Sequence, residues 1–303
     1  MEKLTIVIPS YNEYLKTAKT IYNIFETCSN KGNIEVIVVD DASKENYKDL
    51  SYNSKIKYIK NDNNLGVSQS RDIGIKKSSN NRILTIDAHV KFYKKGWDKD
   101  IVEQIDNNKK SLLCFACQNI KDNKTYYAGG FHFIHPSNMD LILSPYLSNT
   151  CKFGDIEDVP CVIGGAYAFD ANWHKYLNGM TGMIGNGVGE TFLSIKSYLA
   201  GGDCKLIKNI KIGHDFEKIG YDFEKIGCDF EKQDMYYNKI FMSQTILPME
   251  MTSALLTLLP KNKEKENAVN LFQQNLSLML KYKMQYEDIL KVPFEEYVKK
   301  FAK

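Results

Sequence analysis

The chain has 303 residues, 43% of them hydrophobic and 25% charged, with 40 basic residues against 37 acidic ones and a net charge of +3. That is chain enough for one large α/β domain, or one domain with a helical appendage, in an ordinary globular protein, and so slight a basic excess gives no ground for a nucleic-acid partner. No run of about 18 apolar residues is present to form a transmembrane segment, and the short Leu4–Ile8 run behind Met-Glu-Lys lacks the basic start and long apolar region of a signal peptide, so a cytoplasmic protein is expected.

The first half alternates. Thr5–Ile8 reads as a strand broken by Pro9-Ser10-Tyr11-Asn12-Glu13, and a helix follows to about Thr27. Ile34–Val39 is a second strand, ended by Asp40-Asp41-Ala42-Ser43, and Ile56–Ile59 a third. Asn61–Gly66 is a polar turn, Ser68–Lys77 a helix, and Ile83–Ile86 a strand ended by Asp87-Ala88-His89. Strands alternating with helices predict a mainly parallel, Rossmann-like sheet covered on both faces. Further on, strands are expected at Leu112–Cys117, Gly130–Ile134 and Val162–Phe169, which suggests a mixed sheet, and a helix at Glu190–Leu199 ends in Gly201-Gly202. Cys114 and Cys117 form C-x-x-C inside the first of these runs. No second pair at zinc spacing follows, so buried reduced thiols are the expectation for the seven scattered cysteines.

After His214 a seven-residue unit repeats, Asp-Phe-Glu-Lys-Ile-Gly at its heart. Phe216, Ile219, Phe223, Ile226 and Phe230 fall at alternating spacings of three and four, an apolar helical stripe interrupted by Gly220 and Gly227. The repeat reads either as a fixed amphipathic helix or as a movable cover. From Gln244 the pattern is helical, with boundaries at Pro248, Pro260 and Pro293. The expected organisation is therefore a domain over 1–244 and a helical extension over 245–303. Leu255, Leu256, Leu258 and Leu259 would pack the extension on the domain or on another subunit, as in a homo-oligomer.

Ligands of a parallel sheet bind beyond the carboxyl ends of its strands. The PSYNE, DDAS and DAH motifs all fall at such ends. Asp41 and Ser43 also fit a helix cap. In extended chain, residues two apart point to one side, so Asp87 and His89 can converge on one ion, and carboxylate with imidazole suits Mn²⁺ (or Mg²⁺) better than Ca²⁺. The ion would bridge a donor diphosphate.

Thr5–Glu13, Glu35–Ser43, Asn63–Gly74 and Leu84–His89 together resemble the nucleotide-binding half of family 2 glycosyltransferases, which have the GT-A fold. The Asp-x-His form, and Lys95-Gly96-Trp97 with its helix, resemble polypeptide N-acetylgalactosaminyltransferases. So do Gly164-Gly165 with Phe169-Asp170, the Gly187–Gly202 segment, and Gly213-His214-Asp215-Phe216. The resemblance implies a GT-A fold with mixed acceptor-side strands and C-terminal helices. It implies a metal triad of Asp87, His89 and His214, and a nucleoside held by Pro9, Tyr11 and Glu13, with Tyr11 on the base and Glu13 near the ribose. Asp40 would accept from the uracil N–H, and Arg71 would reach the diphosphate, where a planar fork outperforms lysine. Arg71 is one of only two arginines, Arg82 being the other, and a helix-surface position is the simpler alternative for it. Gly164, Gly165 and Trp173 would face the sugar or acceptor.

Glu190, at a helix N-terminus behind the Gly-rich Gly185–Gly189, is the candidate catalytic residue, either as a base or as a positioner of sugar or acceptor. Leu193 stands where the resembled enzymes carry a second acid, and Thr191 where family 2 carries Asp after Glu. His132, His135 and His174 read as ordinary histidines. The implied activity is metal-dependent transfer of a hexosyl or N-acetylhexosaminyl group from a nucleotide-sugar, most simply a UDP-sugar, to a glycan or peptide acceptor, a peptide hydroxyl among the candidates. An inverting transferase of surface glycans and a non-catalytic sugar-nucleotide-binding or assembly protein stay open beside it.

Overall fold

The computed structural model describes residues 3–126, 132–134, 140–142, 155–216 and 232–301. Strand β1 (Leu4–Ser10) leads into α1 (Tyr14–Thr27), β2 (Ile34–Asp40), a 3-10 turn at Lys48–Tyr52, β3 (Ile56–Lys60), α2 (Val67–Lys76), β4 (Arg82–Ile86), β5 (Val90–Phe92) and α3 (Trp97–Asn107). Next come β6 (Ser111–Asn119), β7 (Thr125–Tyr126), β8 (His132–Ile134), β9 (Asp140–Ile142), β10 (Ile156–Asp158), β11 (Ala166–Asp170), α4 (Ala171–Tyr176), α5 (Gly189–Leu199) and β12 (Asp203–His214). Helices α6 (Lys232–Ile246), α7 (Met249–Leu258), α8 (Lys263–Gln274), α9 (Leu276–Glu287) and α10 (Phe294–Phe301) complete the chain.

The main sheet has the order β10-β12-β6-β11-β4-β1-β2-β3, with β5 beside β12 and β7 beside β6; β8 and β9 pair separately. Strands β4, β1, β2 and β3 are mutually parallel, whereas β11 runs antiparallel between β4 and β6. The expected parallel half and mixed half are both present. Because β2 and β4 flank β1 on opposite sides, the connections leave β1 and β4 in opposite directions. That opens a crevice beyond their carboxyl ends, where PSYNE and DAH lie.

Strand alternation divides the core into two apolar layers. Leu4, Ile6 and Ile8 of β1 face the layer that includes Ile21 and Ile24 of α1 and Trp97 and Ile101 of α3, while Val7 faces the opposite layer. That opposite layer runs without a break from Phe169 and Phe192 to Phe241, Leu255, Phe272, Tyr286 and Tyr297. Helices α7–α10 thus pack on the sheet's own core. The boundary expected after Gln244 falls inside α6, and the helices beyond it bury their apolar faces chiefly against α6 and α5.

Strand β12, at twelve residues, is the longest of the elements that sequence patterning missed, the short strands β5, β7, β9 and β10 being the others among the described strands. Its register on β6 shifts between Ile207 and Lys211. The bulge switches its even-numbered residues across the sheet: Cys204 and Leu206 lie in the layer with Phe192, Ile210 and Ile212 in the layer with α1 and α3. Val162–Phe169 also proves shorter as a strand, since pairing with β4 starts at Ala166 and Gly164-Gly165 form a turn before it. Cys114 and Cys117 are buried on β6, where burial pushes both thiols up to about 12, as expected for inert core cysteines. Among the described residues no helix is long and apolar enough to cross a membrane. Residues 217–231 of the repeat, and His135, lie outside the described residues.

Candidate active site

Asp87 and His89 occupy the turn between β4 and β5, and α1 fixes that turn. Thr20 Oγ1 donates to the carbonyls of Ala88 and Val90, at 2.8 and 3.0 Å, and the Asp87 amide donates to the Gly165 carbonyl at 3.0 Å. From the end of β12, His214 Nε2 comes within 3.1 Å of Asp87 Oδ2. The His89 and His214 rings meet edge to face at 4.6 Å. One ligand atom from each of Asp87, His89 and His214 lies within 4.8 Å of the others. One carboxylate with two imidazoles is a donor set that suits a divalent transition metal. His214 is buried, and its Nδ1 has no hydrogen-bond partner among the described residues. The three residues therefore fit a divalent cation.

Glu13 Oε2 faces His89 Nδ1 at 3.2 Å, with Lys16 on the other carboxylate oxygen at 3.4 Å. Burial raises the Glu13 pKa, but His89 and Lys16 outweigh it and hold the carboxyl below its usual range. Burial likewise disfavours charge on His89, yet Glu13 and Asp87 raise its pKa on balance. Burial also works against ionised Asp87, and the hydrogen bond from His214 and the charge of Arg71 overcome it, holding the carboxyl well below the ordinary value.

Arg71 is the centre of the second group. It lies on α2 but is only 1% exposed. Its Nη2 donates to Asp87 Oδ1 at 2.9 Å and to the Gly164 carbonyl at 2.7 Å, and its Nη1 pairs with Glu190 Oε1. Burial opposes its charge, while the facing Tyr167, Glu190 and Asp87 raise its pKa above the ordinary arginine value. Arg71 is not on the helix surface, the simpler of the two expectations; its fork joins two carboxylates. A lysine could not span those partners in one plane.

Gly164 and Gly165 explain themselves sterically. A Cβ on Gly164 would lie 2.8 Å from Glu190 Oε1, and one on Gly165 2.7 Å from His214 Cδ2. The pair is the floor on which Glu190 and His214 rest, so absent side chains admit both residues. Glu190 sits in the first turn of α5, its side chain 22% exposed. Leu193 is fully buried in the apolar layer, which accounts for its not being an acid.

Several expected contacts are corrected. Trp173 is 6% exposed, donates its indole N–H to Ser197 Oγ at 3.0 Å and stacks on Tyr176; it is a core residue with no open face for a sugar. Asp40 is fully buried. Its Oδ1 accepts from the Ser43 amide at 2.7 Å and its Oδ2 from the Tyr58 hydroxyl at 2.8 Å, which ties the end of β2 to the DDAS turn and to β3. Asp41 caps no helix. It accepts from Asn61 and from the Leu65 and Gly66 amides, tying the turn before α2 to the end of β2. Ser43 Oγ accepts from the Asn12 amide, joining the PSYNE and DDAS turns. Tyr11, 46% exposed, stands at the crevice mouth beyond Pro9 in β1. His174 is an ordinary core histidine, buried with its Nε2 3.1 Å from Asp72 Oδ1. The Arg71 bridge and the Glu13–His89 pair are the features that sequence reasoning missed, since only the fold brings these residues together.

Residues 5–176 match the family described as glycosyl transferase family 2. An uncharacterized glycosyltransferase of Haemophilus influenzae is 29% identical over 126 residues, 41% of this chain and 42% of that protein. Human polypeptide N-acetylgalactosaminyltransferase 13 is 23% identical over 231 residues, 71% of this chain and 41% of the relative. The chain thus spans less than half the length of these relatives. Among solved structures, GalNAc-T7 with UDP, GalNAc and Mn²⁺ superposes with a TM-score of 0.72 at 16% identity, covering 98% of this chain and 56% of that one. A mannosyltransferase from Pyrobaculum calidifontis with GDP-Man and Mn²⁺ gives 0.54 at 12% identity, covering 91% and 75%. At these identities the likeness establishes the fold, which is GT-A.

Proposed function

The chain belongs to glycosyl transferase family 2, and we propose on that footing that it moves a sugar from a UDP-sugar to a hydroxyl acceptor with the help of a divalent cation. The observation that carries this reading is the convergence of Asp87, His89 and His214 at the crevice between β1 and β4. These three residues would hold Mn²⁺ or Mg²⁺, and a cation bound there would offset the charge that develops on a departing diphosphate. Tyr11 would stack on the base. Glu190, held beside the metal residues by Arg71, would meet the transferred sugar or the acceptor hydroxyl. Preference for uridine and for a peptide hydroxyl rests on the similarity to polypeptide N-acetylgalactosaminyltransferases and on the UDP-bound neighbour, not on Asp40.

The test is donor hydrolysis without acceptor: a panel of UDP-sugars and GDP-mannose with Mn²⁺, reading released nucleotide. UDP release that is abolished by chelation and by His89→Ala is expected. No release from any sugar nucleotide, or release indifferent to chelation, would refute the reading. Release from GDP-mannose alone would refute the uridine preference.

A further inference from the structure

The Gly-rich segment before Glu190 is held from two sides. From α2, the Val67 amide donates to Asn186 Oδ1 at 3.0 Å and Gln69 Nε2 to the Met183 carbonyl at 3.0 Å. From α6, the fully buried Asn238 makes a denser set of bonds. Its Oδ1 accepts from the Ile184 amide at 2.9 Å, and its Nδ2 donates to the carbonyls of Ile184, Gly187 and Asn186 at 2.7, 3.0 and 3.4 Å. One primary amide supplies one acceptor and two donors, and this site uses all three. Aspartate has no donor, and an apolar residue of the same shape has neither, so each would leave buried peptide groups unpaired.

What the segment delivers is the approach to Glu190. Gly187 and Val188 both adopt left-handed backbone, at φ +87° and +69°. A β-branched residue there is strained and persists only when its surroundings hold it. Val188 is the N-cap of α5 and Glu190 lies two residues on, against Arg71. Arg71 itself is on α2, one turn beyond Val67. The two anchors therefore fix the segment relative to the helix that carries Glu190's partner.

Building on the reading of Glu190 above, we propose that Asn238 is a positioning residue: by pinning Ile184–Gly187 it holds Val188 in its left-handed conformation and sets the Glu190 carboxylate against Arg71. Helix α6 thereby becomes part of the catalytic apparatus through the segment that precedes Glu190. A small misplacement of a reacting group can cost up to about a hundredfold in rate, so Asn238→Ala should lower kcat by about tenfold or more while KM for the UDP-sugar stays within about twofold.

The decisive measurement is a double-mutant cycle with Glu190→Gln on donor hydrolysis, run beside hydrogen exchange of the peptide spanning 184–190. If Asn238 acts through Glu190, Asn238→Ala costs nothing further in the Glu190→Gln background, and the peptide exchanges faster in the single variant. An equal loss in both backgrounds, or unchanged exchange, overturns the proposal. If Glu190→Gln keeps full activity, the role given to Glu190 fails and with it the positioning of that carboxylate; exchange then reports only whether Asn238 anchors the segment. Should Asn238→Ala not fold, Asn238→Asp, which keeps the shape and the acceptor but loses both donors, carries the same readouts.

Discussion

Glu13 Oε2 lies 3.2 Å from His89 Nδ1, so a carboxylate on the turn after β1 grips a ring nitrogen of a histidine on the turn after β4. Carboxylates in this position orient metal-bound imidazoles, and their loss commonly weakens metal binding by about 10–100-fold. Glu13→Ala should show such a loss in a Mn²⁺ titration, with Glu13→Gln intermediate. UDP affinity measured without metal should stay unchanged. If instead metal affinity held and metal-free UDP binding fell, Glu13 would belong to the ribose after all.

The two glycines before β11 should separate by function. Gly165→Ala places a methyl 2.7 Å from His214 Cδ2 and 3.2 Å from its Nε2, and should weaken Mn²⁺ binding. Gly164→Ala presses instead on Glu190, 2.8 Å from Oε1, and should lower turnover by about tenfold or more while Mn²⁺ affinity is kept. Calorimetric Mn²⁺ titration together with kcat for both variants checks this; identical profiles would contradict the assignment of the two contacts.

Lys196 offers a stability test away from the chemistry. It is fully buried on α5, with Nζ donating to the Gly179 carbonyl at 2.6 Å and lying 4.0 Å over the Phe192 ring. Burial drives its pKa well below the ordinary 10.5, against the pull of Asp72. The charged form is therefore penalised in the fold. That penalty is fully present below the folded pKa and disappears as pH rises through the unfolded value of 10.5. Lys196→Met removes it. The stability of Lys196→Met minus that of the unaltered protein should be largest at low pH and shrink by about 1.4 kcal/mol per unit between the two pKa values. Urea melts across that range would read it, and a pH-independent difference would show that the lysine charge costs the fold nothing.

A chain ending at Gln244 should fail to fold as a soluble protein. It would lose Leu255, Phe272, Tyr286 and Tyr297, all in the apolar layer around Phe192, and the bond from Tyr286 Oη to the Thr181 carbonyl at 2.7 Å. Each fully buried side chain of this size contributes about 1.5–3 kcal/mol, so four of them rival the whole stability of a domain. A soluble, cooperatively melting and active fragment would show the C-terminal helices to be dispensable.

The sequence by itself determined the parallel half of the sheet and the place of the site. Continuous β-branched runs ended by polar motifs permit little else, because strands buried on both faces must be apolar and their ligands must lie at their carboxyl ends. Asp87 and His89 were legible as residues at a strand's carboxyl end, although they converge through a turn where extended chain was expected. His214 was legible as a residue but not as a direction. Without the register shift between Ile207 and Lys211 it would share the face of Cys204 and Leu206, and the side-chain period of two in β12 carries no mark of where a bulge falls. Trp173 and Asp40 show the same limit from the other side, since an aromatic ring and a carboxylate look equally available in a sequence until packing buries them. Arg71 shows it most fully. Its rarity among lysines sets it apart in the sequence, but only the tertiary structure, by closing α2 onto the sheet, placed its fork between Asp87 and Glu190 and made it the link between the candidate metal residues and the candidate catalytic carboxylate.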